Sequence, residues 1–322
     1  MGSGNEQGEG RGVSRRGVVL GTAGAGAAGL LAGGGTARAA TRAAPRAEGT
    51  AEPVIGRATG DRLHVVSFNI RYDAGAAPGS PDSWSDRRPV LAAFLETERP
   101  TVLGVQEALY HQVRQVEADL PAGYAWIGLG REGGGRGEFM SVYYDARRLE
   151  PLDFDHFWLS DTPALIGSAT WGNRVVRMTT WVRFLDRRTG REFAHVNTHL
   201  DHQSENSRQR GAALIRERIA AFDPALPVVL TGDFNTPAET SESYRILTEG
   251  GLADTWLTGE RRTPSWGTFP NYRDPVEGGT RIDWLLANRH VRVGPVAINP
   301  FRTDGRYPSD HVPVQALLRL AG

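Results

Sequence analysis

Pro227-Val228-Val229-Leu230-Thr231-Gly232-Asp233-Phe234-Asn235 decides how the rest of the chain is read. Four apolar residues make a short strand, Gly232 permits a tight backbone path, and Asp233 and Asn235 then fall two apart, on one side. Taken alone, the tail of this run is also the composition of an Asx turn after a strand. A carboxylate beside a buried strand, however, costs desolvation unless it is paired or holds a cation. The question becomes whether other strands end in the same way.

They do. Leu63 to Ile70 alternates, with Val66, Phe68 and Ile70 on one face and Asn69 on the other. Asp86 to Glu98 carries Val90, Leu91, Phe94 and Leu95 on one helical side, with Pro100 beyond its end. Thr101 to Gln106 reads as a buried strand ending at Glu107. His111 to Leu120 reads as a short helix. Tyr124 to Leu129, Phe139 to Tyr144, Leu149 to Ser160, Val175 to Leu185 and Glu192 to Leu200 read as strands. Helices over Asn206 to Phe222 and Thr240 to Glu249 flank the opening strand, and Arg281 to Asn288, Val291 to Ile298 and His311 to Leu320 close the chain as strands. Many non-crossover strands with helices at intervals imply an α/β fold, a four-layer sandwich of two packed mixed β-sheets flanked by helices.

Glu107, Asp233, Asn235 and Asp310-His311 thus gather at strand ends, where they can converge on one edge of the sandwich. Several carboxylates together repel one another, and a hard divalent cation with oxygen ligands relieves that. Glu107 alone could equally be a loop salt bridge. His195, Asn197 and His199 share a strand face; the density of Asn197-Thr198-His199-Leu200-Asp201-His202 assigns His199 to the site, with His195 and His202 left outside it. Asp283, a single carboxylate in an apolar strand, needs a partner, and His311 is the candidate.

Composition narrows the partners. The 322 residues are 39% hydrophobic, and the 37 basic residues, all Arg, balance 37 acidic ones. That balance argues against a protein gripping polyanions mainly by counterion release, without excluding a nuclease that has a local basic groove. With no Cys, disulfide and thiolate chemistry are excluded and a metal must sit on oxygen or imidazole ligands. Ser14-Arg15-Arg16-Gly17-Val18-Val19-Leu20, a Gly/Ala/Leu stretch to about Gly35 and Ala37-Arg38-Ala39 read, over residues 1–39, as a twin-arginine-like export signal. Its Gly content makes it too polar for a stable membrane anchor. Residues 40–61 read as a disordered leader and 62–322 as one catalytic domain. A secreted monomer is expected, with a formal charge of −2 once residues 1–39 are removed.

Six segments in order, Ser67-Phe68-Asn69-Ile70-Arg71, Gln106-Glu107, Asn197-Thr198-His199-Leu200, Gly232-Asp233-Phe234-Asn235, Arg281-Ile282-Asp283 and Ser309-Asp310-His311, resemble the endonuclease/exonuclease/phosphatase superfamily. This superfamily includes DNase I-like nucleases, neutral sphingomyelinases and inositol polyphosphate 5-phosphatases. The resemblance implies that Glu107 binds Mg²⁺ or Mn²⁺ with Asn69 and Asp310 close by. It implies that Asp233 deprotonates the attacking water, that Asn235 and His199 hold phosphate oxygens, and that His311, held by Asp283, donates to the charge on phosphorus. Phe157-Trp158-Leu159-Ser160-Asp161-Thr162-Pro163 and Thr198-His199-Leu200-Asp201-His202 are similar to a secreted bacterial branch of undefined substrate. Arg71, Trp158, Trp171 and Arg174 are candidates for the substrate side, with core packing the competing reading for the Trp residues. The loop Gly130 to Gly137 lacks the Lys and Ser/Thr of a P-loop and reads as a mobile rim. The expected substrate is a phosphate ester, either a small organic phosphate or lipid head group or, alternatively, DNA or RNA; a non-catalytic binding module is the remote third reading.

Overall fold

In the computed structural model the described residues are 19–21 and 52–321. In chain order the elements are β1 (Val19–Gly21), β2 (Arg62–Asn69), α1 (Trp84–Glu98), β3 (Val102–Ala108), α2 (Tyr110–Asp119), β4 (Tyr124–Gly128), β5 (Phe139–Asp145), β6 (Leu149–Trp158), β7 (Met178–Asp186) and β8 (Arg191–His199). After these come α3 (Glu205–Ala220), β9 (Val228–Asp233), α4 (Glu242–Glu249), β10 (Leu252–Asp254), α5 (Thr255–Thr258), β11 (Arg261–Arg262), β12 (Asp283–Asn288), β13 (Val291–Ile298) and β14 (Val314–Leu320).

One sheet has seven strands in the order β4-β5-β3-β2-β14-β13-β11, with β1 added antiparallel on β4; the other has six, β10-β12-β9-β8-β7-β6. Near the middle of each sheet lies a parallel pair, β2 beside β3 and β8 beside β9, in otherwise mainly antiparallel surroundings. Both sheets are mixed, and helices cover their outer faces. Leu63, Val65, Val102, Val142, Phe184, Val229, Leu285 and Val314 fill the space between the sheets. Val66, Phe68 and Ile70 turn the other way, under Val90, Leu91, Phe94 and Leu95 of α1. Ala212 and Ile215 of α3 and Leu247 of α4 cover Val196, Leu230 and Trp284 on the far side. Each such side chain, fully removed from water, contributes roughly 1.5–3 kcal/mol. Side-chain caps fix where the outer helices begin: the Ser204 hydroxyl accepts from the Ser207 N–H at 3.1 Å and the Ser241 hydroxyl from the Tyr244 N–H at 3.3 Å.

A polar seam runs through the middle of this apolar interface. Gln106 Nε2 donates to Asn197 Oδ1 at 2.6 Å, the Thr231 hydroxyl donates to the same oxygen at 3.0 Å, and Asn197 Nδ2 donates to the carbonyls of Val105 and Ser141. Asn197 therefore joins the two sheets rather than facing the site edge. Gly104 lets it do so, because a Cβ there would lie 2.4 Å from Thr231 Oγ1 and 2.7 Å from Asn197 Oδ1. His195 belongs to the same seam, 3.1 Å from the Thr231 hydroxyl, and burial pushes its pKa down to about 3.

Several boundaries differ from the sequence reading. Apart from β1, the expected export signal lies outside the described residues, as does the leader up to residue 51. Residues 52–61, read from composition as disordered, are held to the fold: buried Glu98 accepts the N–H groups of Val54 at 2.8 Å and Gly56 at 2.8 Å. The last strand begins at Val314, not His311, which leaves Asp310 and His311 in the preceding loop. Similarly β7 begins at Met178, leaving Arg177 in the connection before it. Among the described residues, no helix is long and apolar enough to cross a membrane.

Candidate active site

Strand register assembles the site. His199 at the end of β8 and Asp283 at the start of β12 flank Asp233 at the end of β9, partnered on either side. From the other sheet, Asn69 at the end of β2 stands beside Gln106 of β3, and Glu107 follows with φ +67°. Asn235 has φ +51°. A left-handed conformation at a side-chain-bearing residue costs about 1–2 kcal/mol, and at this edge it occurs at Glu107, Asn235 and Arg71, the last at φ +57°.

The Asn69 amide joins the two sheets' contributions, Nδ2 donating to Glu107 Oε1 at 3.0 Å and to Asp233 Oδ2 at 2.9 Å. Asp233 Oδ1 accepts the Asn235 N–H at 2.9 Å. His311 Nδ1 lies 2.9 Å from Asp283 Oδ2, the pairing expected from sequence, and its Nε2 lies 3.7 Å from Asp233 Oδ2. Although Asp310 and His311 lie in a loop, Ser309 anchors them: its hydroxyl donates to the Asn69 carbonyl at 2.7 Å. The Phe269 ring, 48% exposed, lies 4.7 Å from the His311 ring and forms an open apolar wall.

Protonation follows from these contacts. Burial, then repulsion by Asp283, raises Asp233 to about 7, against the opposing pull of His311 and Asn69. Burial alone would lower His311, but Asp283, then Asp233 and Asp310 overcome it and raise the imidazole to about 10. His199 is driven well below its ordinary value by burial and then by the Arg177 charge. One edge therefore carries a charged histidine, a neutral histidine and a carboxyl group that titrates near neutrality.

Asp310 is raised by burial, with Glu107 adding repulsion. Glu107, Asp310 and the Asn69 amide make an all-oxygen set suited to a hard divalent cation. Glu107, His199 and Asp233 also offer ligand atoms within 4.8 Å of one another. Asn69 turns its amide nitrogen, not its oxygen, to the carboxylates, so direct ligation through Oδ1 requires the amide to rotate away from the Arg71 N–H that it accepts at 3.0 Å.

The four residues read as lining the substrate side behave differently. Arg71 faces carboxylates, with its guanidinium 3.3 Å from Asp82, 3.7 Å from Glu107 and 3.8 Å from Asp310. Trp158 is buried with Leu129, Met140 and Met178, and its indole N–H donates to the Arg131 carbonyl at 2.7 Å, bracing the start of the Gly-rich loop. Trp171 is buried against α3, with the Arg210 guanidinium 5.0 Å over its ring. Arg174 is exposed. Core packing was the correct reading for both Trp residues: Trp158 ends β6 among apolar side chains, and Trp171, in the connection before β7, packs with Ala212 and Ile215 of α3.

A second basic side chain, Arg177, also reaches the site, and the sequence reading missed it. It is 4% exposed, and Nη1 donates to His199 Nδ1 at 2.9 Å while Nη2 donates to His202 Nδ1 at 3.0 Å. Glu138 lies beyond it, accepting from Arg131 Nη1 at 2.5 Å. The one available signal was an Arg just before an apolar strand paired with the His199 strand.

With fold and site in hand, residues 66–311 match the endonuclease/exonuclease/phosphatase family, and the chain belongs to that family. Its members generally hydrolyse phosphoester bonds. Among solved structures, the chain is similar to an endonuclease/exonuclease/phosphatase protein of Bacteroides vulgatus (34% identity, TM-score 0.75, 80% of this chain and 99% of that one). It is also similar to a mannosyl-6-phosphatase of Bacteroides thetaiotaomicron (31% identity, TM-score 0.74, 80% and 99%). The human nocturnin catalytic domain shares the fold alone, at 16% identity and TM-score 0.61 over 81% of this chain and 95% of that one. No curated protein sequence matches the chain.

Proposed function

We propose that the chain is an exported phosphoesterase that hydrolyses a small organic phosphate with Mg²⁺ or Mn²⁺ held by Glu107 and Asp310, beside Asn69. The observation that carries this reading is the Asn69 amide, one hydrogen bond from Glu107 and one from Asp233, which sets a cation site and a base side by side. The bound cation would supply Lewis-acid neutralisation of phosphate charge.

The chain's own residues do the rest. Asp233, with both oxygens oriented by Asn69 and the Asn235 N–H, takes a proton from the attacking water. A carboxyl group raised to about 7 is a stronger base than an ordinary carboxylate while still ionising near neutral pH. His311, charged and held by Asp283, donates toward the oxygens on which charge builds. His199 and Asn235 hold the phosphate from the other side. Phe269 offers its exposed ring to the organic group beside His311.

The similarity to a mannosyl-6-phosphatase and the near-neutral charge favour a sugar phosphate or similar small ester over a polymer. The test is a panel of mannose 6-phosphate, p-nitrophenyl phosphate, inositol phosphates, sphingomyelin, DNA and RNA, each with Mg²⁺ or Mn²⁺. Release of inorganic phosphate from the small monoesters is expected. Turnover of DNA or RNA alone would replace this reading with a nuclease, and turnover of none would remove the enzymatic reading.

A further inference from the structure

We propose that Arg177 is a positioning residue that locks both His199 and His202 in the tautomer bearing its proton on Nε2, so that both rings are N–H donors to substrate and His199 is barred from the cation. The inference deepens the hydrolase reading of this site and rests on it for the identity of the acceptor, a phosphate oxygen.

A guanidinium has five N–H donors and no acceptor, and it stays charged in proteins. Its contacts with imidazole nitrogens therefore have one sense. Nη1 donates to His199 Nδ1 at 2.9 Å and Nη2 to His202 Nδ1 at 3.0 Å. A ring nitrogen that accepts has no proton of its own, so each neutral ring carries its proton on Nε2. The same arginine opposes double protonation, since burial and then the Arg177 charge lower His199, and the same two causes in the same order lower His202.

The fork is itself held in place. Arg177 is 4% exposed, with Glu138 Oε2 and Asp201 Oδ2 each 3.9 Å from its nitrogens. The two imidazoles are reached by different nitrogens of one planar group, a span that the single nitrogen of Lys cannot reproduce.

The tautomer decides what each ring can do. His199 Nε2 lies 3.4 Å from Asp233 Oδ2 and faces the Asn235 amide nitrogen, itself a donor, at 2.9 Å. Because Nδ1 already accepts from Arg177, a proton on Nε2 requires the Asn235 amide to turn its oxygen to the ring, giving up its 3.1 Å bond to the Leu200 carbonyl. A histidine ligates metal through a nitrogen lone pair. His199 lies within reach of Glu107 and Asp233, yet its only lone pair is turned to Arg177. Its Nε2–H faces Asp233 and the Asn235 amide, where a bound phosphate oxygen would accept it. His202 is exposed, so its Nε2–H is open to an oxyanion or hydroxyl farther out on the substrate.

The test is nitrogen-15 NMR of histidine-labelled full-length chain at neutral pH, with and without Mg²⁺, rings being assigned through His199→Gln and His202→Gln. Both rings are expected to show protonated Nε2 and unprotonated Nδ1, unchanged by Mg²⁺. Arg177→Met should mix the tautomers at both rings and lower kcat by about tenfold to a hundredfold, with Arg177→Lys no better. A proton on Nδ1 of either ring in the wild type, loss of the His199 Nε2 proton on adding Mg²⁺, or an unmixed pattern in Arg177→Met would overturn the proposal. If Arg177→Met fails to fold, the wild-type spectrum still decides. Locked tautomers in a chain that hydrolyses no phosphate ester would sink the hydrolase reading and leave the lock standing.

Discussion

Replacing Asp283 with Asn changes a charge while leaving an oxygen able to accept from His311 Nδ1, so it isolates the electrostatic part of the Asp283–His311 contact. The rise of His311 from 6.5 to about 10 corresponds to roughly 5 kcal/mol of preference for the charged ring. Burial opposes that rise, and Asp283, at 2.9 Å, is the largest favourable contribution, ahead of Asp233 and Asp310. Losing it should bring His311 down by about two pH units. Asp283 also holds Asp233 up by repulsion, so Asp233 should fall as well, and both limbs of the pH–rate profile should move toward acid. The wild-type profile should rise with pH as Asp233 ionises, at or below about 7 with cation bound, and fall only as His311 loses its proton near 10. The assay is phosphate release from mannose 6-phosphate with Mg²⁺, from about pH 5 to about pH 10, with an NMR titration of His311. At about pH 9 the variant should retain roughly a tenth of its own plateau rate while the wild type stays nearly flat. An alkaline limb or His311 titration that does not move would refute the reasoning.

Three further outcomes follow from the geometry. Asn197→Ala removes bonds to Gln106, Thr231 and two carbonyls between the sheets, and should destabilise the fold by about 2–4 kcal/mol in urea unfolding. Glu107→Gln should abolish the rise in melting temperature that Mg²⁺ is expected to give the wild type, read by calorimetry, because the proposed cation set includes the Glu107 carboxylate. Arg174→Ala should leave kcat/KM within about twofold, since Arg174 is exposed and makes no hydrogen bond or ion pair among the described residues.

The sandwich and much of its polar edge were legible because buried strands are apolar until they end. Asn69, Glu107, His199 and Asp233 stood out for breaking apolar runs at strand ends, and the lone carboxylate of Asp283 required the partner that the fold supplies. What period-two alternation could not reveal is the destination of a face buried on both sides. Asn197 shares a face with His199 yet faces Gln106 across the sheet interface, because depth along the strand decides between seam and edge. Arg177 was hidden for a similar reason. A lone Arg before a strand is ordinary in a chain whose basic residues are all Arg, and only the pairing of β7 with β8 carries it to His199. Trp158 and Trp171 misled because large aromatics are as common in cores as in sites. Glu98 was unreadable too, as the backbone N–H groups that it accepts lie 42 to 44 residues away.

The central claim is that this edge hydrolyses a phosphate ester by using a cation at Glu107 and a proton acceptor at Asp233. The most direct measurement is phosphate release from mannose 6-phosphate and p-nitrophenyl phosphate by the full chain after EDTA treatment, followed by add-back of Mg²⁺ or Mn²⁺, with Asp233→Asn in parallel. Activity lost in EDTA, restored by the cation, and lower in Asp233→Asn by on the order of a thousandfold is the expected result. Full turnover in EDTA, or an Asp233→Asn variant as active as the wild type, would contradict it.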